Sequence, residues 1–340
     1  MPKVVVGMSG GVDSSLTALL LKNAGDDVCG VFLVTRGDPA EKSAAAAANA
    51  ASIGIDFQAL DVRELFEEKV INPFRESYLS GLTPNPCVEC NRFVKFPSLL
   101  RAADLLGAKF AATGHYAKII KTPDGPRIAR GADLKKDQSY FLYRLRADEL
   151  ERIIFPLGDM TKDEVRRLAK EYGLPSSSAS DSQDVCFLPD GGSGDFVSEA
   201  AGDLPRTGEF TDASGRLLGR HRGYWYYTPG QRRGLGVSSD ARLYVQKIIP
   251  GEQRVILGPE SDLYRTKVEV RNVSYPGATP SAPFRANVVL RYSKKASPAT
   301  VIPDGDSATV EFDLPQRAPA PGQSAVFYDG DAVVGGGIIV

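Results

Sequence analysis

A glycine-rich turn close to the start of the chain has the composition of a phosphate-binding loop. Its glycines would let backbone amides approach an anion closely, and the helix that follows would offer unpaired N–H groups and the positive end of its dipole. Ser9 and Ser14 add hydroxyl donors, whereas Asp13 would repel a phosphate and is expected to hold Mg²⁺ or to orient the loop. The turn consists of Gly7, Met8, Ser9, Gly10, Gly11, Val12, Asp13 and Ser14.

Two better-known phosphate loops do not match this turn. It lacks the Gly-Lys-Ser/Thr ending of a Walker loop, so a kinase or GTPase would have no phosphate-binding lysine here. It also lacks the three-glycine fingerprint of a dinucleotide site. The turn therefore predicts a different class of nucleotide-binding enzyme.

Cysteines supply a second candidate centre. Cys87 and Cys90 are separated by two residues and follow a turn in which Pro84 and Pro86 fix the backbone. Cys186 offers a third thiol much later in the chain. This spacing points to metal or redox chemistry rather than to structural disulfides.

Three chemistries compete for these thiols. A structural zinc site could use His115 as a fourth ligand, but the chain has only two histidines and no second Cys-x-x-Cys. Alternatively, one cysteine carries a persulfide and another forms a disulfide with it when sulfur is released. The third possibility is an iron–sulfur cluster held by three thiolates. The residues alone leave these alternatives open.

The first part of the chain alternates apolar runs with helical spacing, which predicts a doubly wound parallel α/β sheet. Ligands of such sheets bind at the carboxyl ends of the strands. The expected strands are Val4–Val6, Val28–Val34, Phe57–Leu60 and Lys109–Thr113, and the expected helices are Val12–Lys22, Ala44–Ile53, Leu65–Val70, Phe96–Leu106, Leu145–Ile154 and Lys162–Tyr172. Thr161 and Glu164 form a capping box at the last of these helices, and Gly173 ends it.

From Ser176 onwards the sequence pattern becomes typical of β structure. The stretches Ser176–Ser182 and Gly191–Gly194 are predicted as loops, and turn signals then recur at roughly 8–12-residue spacing. The last of these turns, Asp329-Gly330, predicts a hairpin. We expect a catalytic domain over 1–196, a small, mostly β central domain over 197–262 and a β-barrel over 263–340.

Composition sets the class of protein and of partner. The chain has 340 residues, 42% hydrophobic and 24% charged, which is typical of a globular protein. Without a membrane-length apolar run or an evident leader we expect a cytosolic enzyme, and Cys29 is expected to be a buried apolar residue.

Between Arg216 and Lys295 there are 15 Lys/Arg and 5 Asp/Glu, which favours nucleic acid as partner. Tyr226 and Tyr227 would either stack on bases or build the β core.

Taken together, these motifs resemble the bacterial tRNA-specific 2-thiouridylases, and the glycine turn resembles the loop of the ATP pyrophosphatase superfamily. The matching segments span the chain in family order. They are 7–15, Thr83-Pro84-Asn85-Pro86 with Cys90-Asn91, 112–116, 136–143, Asp181-Ser182 with Cys186-Phe187, 226–236, Arg291-Tyr292 and 321–323. The resemblance implies ATP-dependent 2-thiolation of the wobble uridine in a tRNA anticodon stem-loop. AMP would be transferred to the uridine C2 oxygen, and sulfur would then replace it.

The resemblance also implies roles for individual residues. Residues 7–14, with Leu33 and Gly114, would bind ATP with Mg²⁺, and Asp13 would take part in catalysis. Cys90 would be the nucleophile, and Cys186 would receive persulfide sulfur from a cysteine desulfurase or a sulfur-relay protein. Contacts with tRNA would come from Asn85, Pro86, Cys87, His115, Lys136, Asp137, Gln138, Arg291, Tyr292 and Gln323.

One position departs from the family pattern. Many members have Asp where this chain has Cys87, and a thiol is a poor general base. As a third thiolate beside Cys90 and Cys186, however, it would suit a [4Fe–4S] cluster, so the substitution favours that alternative. Two other functions remain open: an amidoligase acting on another adenylated substrate, and a non-catalytic RNA-binding sulfur carrier.

Overall fold

A computed structural model describes residues 2–36, 40–178, 185–189, 192–292 and 295–340. The amino-terminal lobe is built on the predicted parallel sheet, whose central strand contains the fully buried Val4, Val5 and Val6. The strands of this lobe are β1 (Lys3–Gly7), β2 (Asp27–Val34), β3 (Asp56–Asp61), β4 (Phe110–Ala112), β5 (Ala117–Thr122), β6 (Gly125–Arg130) and β7 (Ile153–Ile154). The parallel sheet has the order β3–β2–β1–β4–β7.

Helices cover the sheet or link it to the later domains. They are α1 (Val12–Asn23), α2 (Ala40–Ile53), α3 (Arg63–Phe66), α4 (Asn72–Leu79), α5 (Pro86–Cys90), α6 (Phe96–Leu105), α7 (Ala147–Leu150), α8 (Lys162–Glu171) and α9 (Gly192–Ala200). Two π-helical turns span Glu67–Ile71 and Asn91–Lys95, and 3₁₀ turns span Ser139–Leu142, Pro175–Ser178, Tyr224–Tyr226, Pro250–Glu252 and Glu260–Leu263. Within the described residues, no helix combines the length and apolarity needed to cross a membrane.

The two faces of the sheet have separate cores. Leu16 of α1, Ala50 of α2 and Val165 of α8 pack on one face, and Leu99 and Ala103 of α6 pack on the other. The chain leaves β1 in one direction across the sheet, towards β2 and β3, and β4 lies on the other side of β1. The carboxyl ends of β1 and β4 therefore border the crevice at which such sheets bind ligands.

The later part of the chain forms two β structures. The central sheet, ordered β10–β11–β8–β9, contains β8 (Gly208–Thr211), β9 (Leu217–His221), β10 (Tyr244–Ile249) and β11 (Arg254–Gly258). The carboxyl-terminal strands are β12 (Tyr264–Ser274), β13 (Phe284–Val289), β14 (Ser297–Asp304), β15 (Ser307–Arg317), β16 (Ser324–Asp329) and β17 (Ala332–Ile339). Pairing of β12 with β17 closes them into the predicted barrel.

The hairpin of β5 and β6 extends the barrel sheet from outside. Ala332 of β17 pairs with Ala129 of β6, and the guanidinium of Arg130 lies 4.1 Å from the ring centre of Tyr328. This attachment could not be predicted from the sequence, because the hairpin belongs to the first lobe by chain position. It joins the barrel to the amino-terminal lobe.

Local signals were confirmed at α8 and wrong at two other places. Thr161 and Glu164 form the predicted capping box, and Gly173 has a φ of +67° at the end of the helix. The predicted helix Leu145–Ile154 is wrong at its end, because Ile153–Ile154 pairs with β4 as a strand. Gly191–Gly194 is predicted as a loop, but α9 begins at Gly192. Asp181 and Ser182 lie outside the described residues, and the domain boundaries at 196/197 and 262/263 stay predictions.

Candidate nucleotide and thiol site

The glycine-rich turn joins β1 to α1 in the geometry of an anion cradle. Gly10 has a φ of +82°, and a side chain there would collide with the carbonyl of Lys42 at 2.9 Å. Gly11 is the N-cap residue before α1 and has no side chain to cap it, so no capping side chain occupies the first-turn amides. The hydroxyl of Ser14 accepts a hydrogen bond from the Ser9 amide at 3.1 Å and lies 3.2 Å from the Ser9 hydroxyl. Backbone amides and hydroxyls thus face the same concave turn.

Asp13 is held by two partners that the sequence did not reveal. The Nζ atom of Lys162 donates to both carboxylate oxygens, at 2.7 and 2.9 Å, and the Tyr116 hydroxyl donates to one of them at 2.7 Å. Lys162 is the first residue of α8 and is buried. These bonds hold Asp13 in place within the loop, and both of its predicted roles, orienting the loop and holding Mg²⁺, stay predictions.

Gly114 and Leu33 lie beside the cradle on neighbouring strands. A side chain at Gly114 would approach the backbone of Asp13 and Ser14 to 2.8 and 2.9 Å, so the chain after β4 touches the loop directly. Leu33, near the end of β2, packs with the aromatic cluster that also contains Cys90 and Phe187. Leu33, one of the predicted ATP residues, therefore shares an apolar cluster with residues of two predicted sulfur-chemistry segments.

The thiols are presented by a short helix. Asn85 is the first flanking residue of α5, Pro86 its first helical residue, and Cys87 and Cys90 lie three positions apart, which places them on one face of the helix. A π-helical turn follows at Asn91–Lys95 and leads into α6. π-Helical turns are rare in proteins overall, but where they do occur they are often at functional sites.

The environment of the thiols keeps two of them protonated. Burial raises the pKa of Cys90 to about 12, against a smaller lowering by the Lys95 ammonium. The Cys87 side chain is exposed, yet desolvation raises its pKa as well, and Lys95 again opposes the shift. An accessible but desolvated thiol is typical of a cleft. Lys95, which no sequence motif indicates, is the cation that lowers the pKa of both thiols.

Cys186 belongs to the same region. A charge on its sulfur would raise the pKa of both Cys87 and Cys90, so the three thiols interact electrostatically. Cys186 is exposed, while the neighbouring Phe187 is anchored among three aromatic rings. Those rings belong to Phe66, Phe74 and Phe196, with centroid distances of 5.7, 5.2 and 5.3 Å. All four cysteines are free thiols, and Cys29 is buried as predicted.

A metal or cluster does not fit these residues as they are arranged. Across the described ranges, no three His, Cys, Asp or Glu side chains come together as a metal site. His115, the predicted fourth zinc ligand, is bonded through Nδ1 to the Thr113 hydroxyl at 2.7 Å. The expectation of a [4Fe–4S] cluster on Cys87, Cys90 and Cys186 is therefore not supported, and we derive no step through one.

Residues of the segment 139–149 contact the thiol helix and the residue that follows it. The side-chain amide of Asn91 donates to the backbone carbonyl of Phe141 at 3.1 Å. Arg144 pairs with Glu89 at 2.6 Å in the middle of the helix. Asn85 and Pro86 directly precede the two cysteines at the start of the thiol helix, and their contact with tRNA stays a prediction.

Several predicted tRNA contacts have internal partners. Asp137 is buried and accepts hydrogen bonds from the amides of Gly131 and Ser139, at 3.0 and 3.2 Å. The side-chain oxygen of Gln138 accepts from the Tyr116 amide at 3.0 Å, and Lys136 is half-buried with a partner of its own. Their contact with tRNA stays a prediction.

His115 lies in the core rather than at the surface. Its ring packs against Phe96 and Phe155, with centroid distances of 5.7 and 5.8 Å, and burial lowers its pKa well below the ordinary value. This position matches the alternative of a histidine at the end of a strand. A contact between His115 and RNA would require the surrounding side chains to move.

The predicted contacts on the barrel differ from one another. Arg291 donates to the carbonyls of Pro229 and Ala318, at 3.0 and 3.1 Å, and so connects the central domain to the barrel. Tyr292 is 42% exposed and lies against Phe141, with ring centroids 4.5 Å apart. The side chain of Gln323 donates to the carbonyl of Thr83 at 2.8 Å. Of the three, Tyr292 has the most accessible surface for a base.

The basic central domain presents arginines and buries most of its aromatic run. Arg232 and Arg233 are exposed, whereas Trp225 and Tyr227 are buried in the core of the domain. Stacking of Tyr227 on a base is therefore wrong for this structure, and the core alternative holds. Tyr226 is half-buried and has the guanidinium of Arg222 at 4.0 Å from its ring centre.

Comparison with known families covers nearly the whole chain. Residues 2–190 match the model described as "tRNA methyl transferase HUP domain", residues 194–259 the "tRNA methyl transferase PRC-barrel domain" and residues 265–339 the "Aminomethyltransferase beta-barrel domain". The tRNA-specific 2-thiouridylase of Clostridium acetobutylicum is 41% identical over 351 residues, which covers 99% of both chains. The enzyme of the same name from Acidithiobacillus ferrooxidans is 42% identical and covers 99% of this chain and 98% of its own.

Among solved structures, the chain is similar to a 4-thiouridine synthetase in complex with RNA and bound ATP. The TM-score is 0.40 at 19% sequence identity, over 56% of this chain and 46% of the other.

Proposed function

Because this chain belongs to the family of tRNA-specific 2-thiouridylases, we propose that it uses ATP to adenylate the C2 oxygen of the wobble uridine of tRNA and then replaces that oxygen with sulfur. Membership of this family makes the chain a tRNA sulfurtransferase. The order of events and the residue roles below are our proposal.

One structural observation carries this proposal. Leu33, which is one of the predicted ATP residues, belongs to the same apolar cluster as Cys90 of the thiol helix and Phe187 beside Cys186, and this supports a shared site for nucleotide and thiols. An enzyme that couples cleavage of ATP to sulfur transfer needs this proximity, because the activated oxygen must leave from the atom that sulfur attacks. A phosphate loop on a different face from the thiols would not serve such a reaction.

In the first step the C2 oxygen of uridine attacks the α-phosphorus of ATP, and pyrophosphate leaves. The oxygen of the amide-like C2 carbonyl is a poor leaving group, and bonding it to AMP makes it a good one. The first-turn amides of α1 and the hydroxyls of Ser9 and Ser14 would stabilise the negative charge on the departing phosphates. Mg²⁺ bound with ATP would supply further neutralisation of the phosphates, as is usual for this ion. Lys162 keeps Asp13 from repelling the phosphates.

In the second step a persulfide on Cys186 attacks C2, and AMP leaves with the oxygen. The product at this point has C2 bonded to the outer sulfur of Cys186. The Cys90 sulfur then attacks the Cys186 sulfur, which forms a Cys90–Cys186 disulfide and releases the outer sulfur as the C2 thiocarbonyl. Two thiols thereby supply the two electrons that reduce the transferred sulfur, and a thiol reductant restores them.

The exposure of Cys186 and the raised pKa of Cys90 are consistent with this order of the two steps. Cys186 is exposed, so a donor protein can reach it and load its sulfur. Cys90, in contrast, is desolvated, and its pKa of about 12 keeps it a thiol at neutral pH in the RNA-free protein. Because only the thiolate attacks a disulfide or persulfide, Cys90 is protected from premature reaction with the loaded Cys186.

The target base has to leave the anticodon stack to reach the cleft, at a cost of about a few kcal/mol. Exposed arginines of the central domain, such as Arg232 and Arg233, would contact phosphates and fix the position of the tRNA. The sulfur donor, a cysteine desulfurase or a sulfur-relay protein, and the cytoplasmic location remain part of the proposal.

The decisive test is a thiolation assay with the cysteine variants. Cys90→Ala and Cys186→Ala should abolish formation of 2-thiouridine while tRNA-dependent release of pyrophosphate continues. An amidoligase would need neither cysteine and would keep its full turnover in both variants. A non-catalytic RNA-binding protein would release no AMP when tRNA is added. Either of these last two results would overturn the proposal.

A further inference from the structure

A turn of the barrel contacts the chain just before the thiol helix. The side-chain nitrogen of Gln323 donates to the carbonyl of Thr83 at 2.8 Å and to that of Pro84 at 3.2 Å. In return, the amide of Thr83 donates to the carbonyl of Pro321 at 2.8 Å. Thr83 thus accepts from Gln323, 240 positions later in the sequence, and donates to Pro321 of the same turn.

The close fit of this contact depends on the absence of a side chain at Gly322. This residue has a φ of +92°, and a Cβ atom there would lie 2.8 Å from the Thr83 nitrogen. The turn itself is fixed to β17, because the amide of Gly322 donates to the Ile339 carbonyl at 2.9 Å and the amide of Ile339 donates to the Gln323 carbonyl at 2.8 Å. A turn anchored on the barrel wall therefore presses against the thiol-bearing segment.

The sequence of the contacted segment explains why it needs an external donor. Pro84 and Pro86 have no N–H group, so the segment can make few hydrogen bonds of its own. Carbonyl groups withdrawn from water require donors, and Gln323 provides one amide group that serves both Thr83 and Pro84.

The barrel also contacts the segment that packs against the other end of the thiol helix. The hydroxyl of Tyr140 donates to the carbonyl of Ser324 at 2.8 Å, and the carbonyl of the next residue, Phe141, accepts from the side-chain amide of Asn91 at 3.1 Å. Consecutive barrel residues 323 and 324 therefore contact the chain on both sides of the thiol helix, directly at Thr83–Pro84 and through residues 140–141 at Asn91.

We propose that Gln323 is a positioning residue, which holds the segment Thr83–Asn85 so that Cys87 and Cys90 stay correctly placed in the cleft. This inference rests on the proposed thiolation reaction. It differs from the expectation that Gln323 contacts tRNA, because its effect exists in the RNA-free protein. Its consequence is that the barrel, beyond contacting tRNA, sets the geometry of the thiols.

The test replaces Gln323 by methionine, which has nearly the same shape but no donor. The control is Gln246→Met, because Gln246 makes the same kind of bond, to the carbonyl of Pro259 at 2.7 Å, within the central domain. Peptide mapping after iodoacetamide treatment gives the alkylation rate of each cysteine without tRNA. Loss of two neutral hydrogen bonds should let the segment open and raise the Cys90 rate about fivefold to tenfold in Gln323→Met alone.

Binding and catalysis are then measured separately. For Gln323→Met we expect the dissociation constant of an anticodon stem-loop to stay within about twofold of wild type, while single-turnover thiolation at saturating RNA slows about tenfold. Gly322→Ala, which pushes on Thr83 from the same turn, should reproduce the faster alkylation of Cys90. If Gln323→Met fails to fold, Gly322→Ala alone decides the question.

Two results would overturn the proposal. One is unchanged alkylation of Cys90 in both variants, and the other is a loss of RNA affinity that accounts for the whole loss of turnover, as a direct tRNA contact requires. Failure of the proposed function looks different, since wild-type protein would then form no 2-thiouridine although the alkylation rates still change.

Discussion

The Nζ atom of Lys162 lies 2.7 and 2.9 Å from the two carboxylate oxygens of Asp13, although 149 positions separate the two residues. The pair brings the first turn of α8 against the phosphate loop. An acidic residue inside a phosphate cradle would otherwise repel the nucleotide. The lysine that this loop lacks in its own sequence is thus supplied by another element, where it neutralises Asp13 rather than replacing a Walker lysine.

Asp13→Asn should weaken both the fold and nucleotide binding. Removing one partner of a buried ion pair costs about 3–5 kcal/mol. Because the side chain of Asp13 is 32% exposed and that of Lys162 9%, water screens the pair, and we expect a loss of about 1–3 kcal/mol in the free energy of unfolding. ATP affinity should fall about tenfold or more, because the loop loses its orientation. Urea denaturation and equilibrium ATP binding measure the two effects.

The matched control is Lys118→Met. Lys118 pairs with Asp159 at the surface, where the aspartate is 85% exposed. Such pairs contribute about 0–1 kcal/mol, so stability and ATP affinity should stay close to wild type. Equal effects of the two variants would contradict the assigned role of the Asp13–Lys162 pair.

Cys87→Asp should keep most of the thiolation activity. The persulfide reaction proposed above uses Cys90 and Cys186, and the resemblance places Asp at this position in many family members. We expect turnover within about threefold of wild type, and complete loss in Cys90→Ala and Cys186→Ala. The measurement is 2-thiouridine formed per enzyme by mass spectrometry of digested tRNA. A cluster held by three thiolates predicts the opposite, namely loss of activity together with loss of bound iron in Cys87→Asp.

Local patterns predicted the parts of this site that depend on neighbouring residues. The glycines and hydroxyls of the phosphate loop, the capping box at Thr161 and the apolar strand of β1 follow from short-range chemistry, and each is found where it was expected. The two-residue strand Ile153–Ile154 could not be predicted in this way, because only its pairing with β4 distinguishes it from the end of a helix.

His115→Gln should reduce the loss of stability on mild acidification. Burial lowers the pKa of His115 well below 6.5 in the folded protein, so below pH 6.5 the unfolded chain binds a proton that the folded chain excludes. Stability therefore falls as the pH decreases through this window, by up to about 1.4 kcal/mol per pH unit for one histidine. Urea denaturation between pH 7.0 and 5.5 measures the slope.

The second histidine gives the comparison for that experiment. Burial lowers the pKa of His221 in the same direction, so some acid sensitivity should persist in His115→Gln and disappear only when His221 is replaced as well. Identical slopes for wild type and His115→Gln would show that His115 is accessible to protons, and hence not buried as described.

Long-range partners account for what the sequence did not predict. From the sequence alone, Lys162 is the first residue of a predicted helix and Lys95 is a charged residue beside a phenylalanine. Gln323 is one residue of a family motif. Their roles depend on which atoms they meet across domains: the Asp13 carboxylate, the Cys87 and Cys90 thiols, and the carbonyls of Thr83 and Pro84. A sequence motif can indicate that such a residue is important, but only the folded structure shows which atoms it contacts.

The most direct test of the account is a single-turnover reaction with ATP, tRNA and enzyme whose Cys186 has been loaded with persulfide. The account predicts one AMP and one pyrophosphate for each 2-thiouridine formed, together with one Cys90–Cys186 disulfide, and no thiolation when ATP is withheld. Formation of 2-thiouridine without ATP, or by a Cys186→Ala variant, would contradict it.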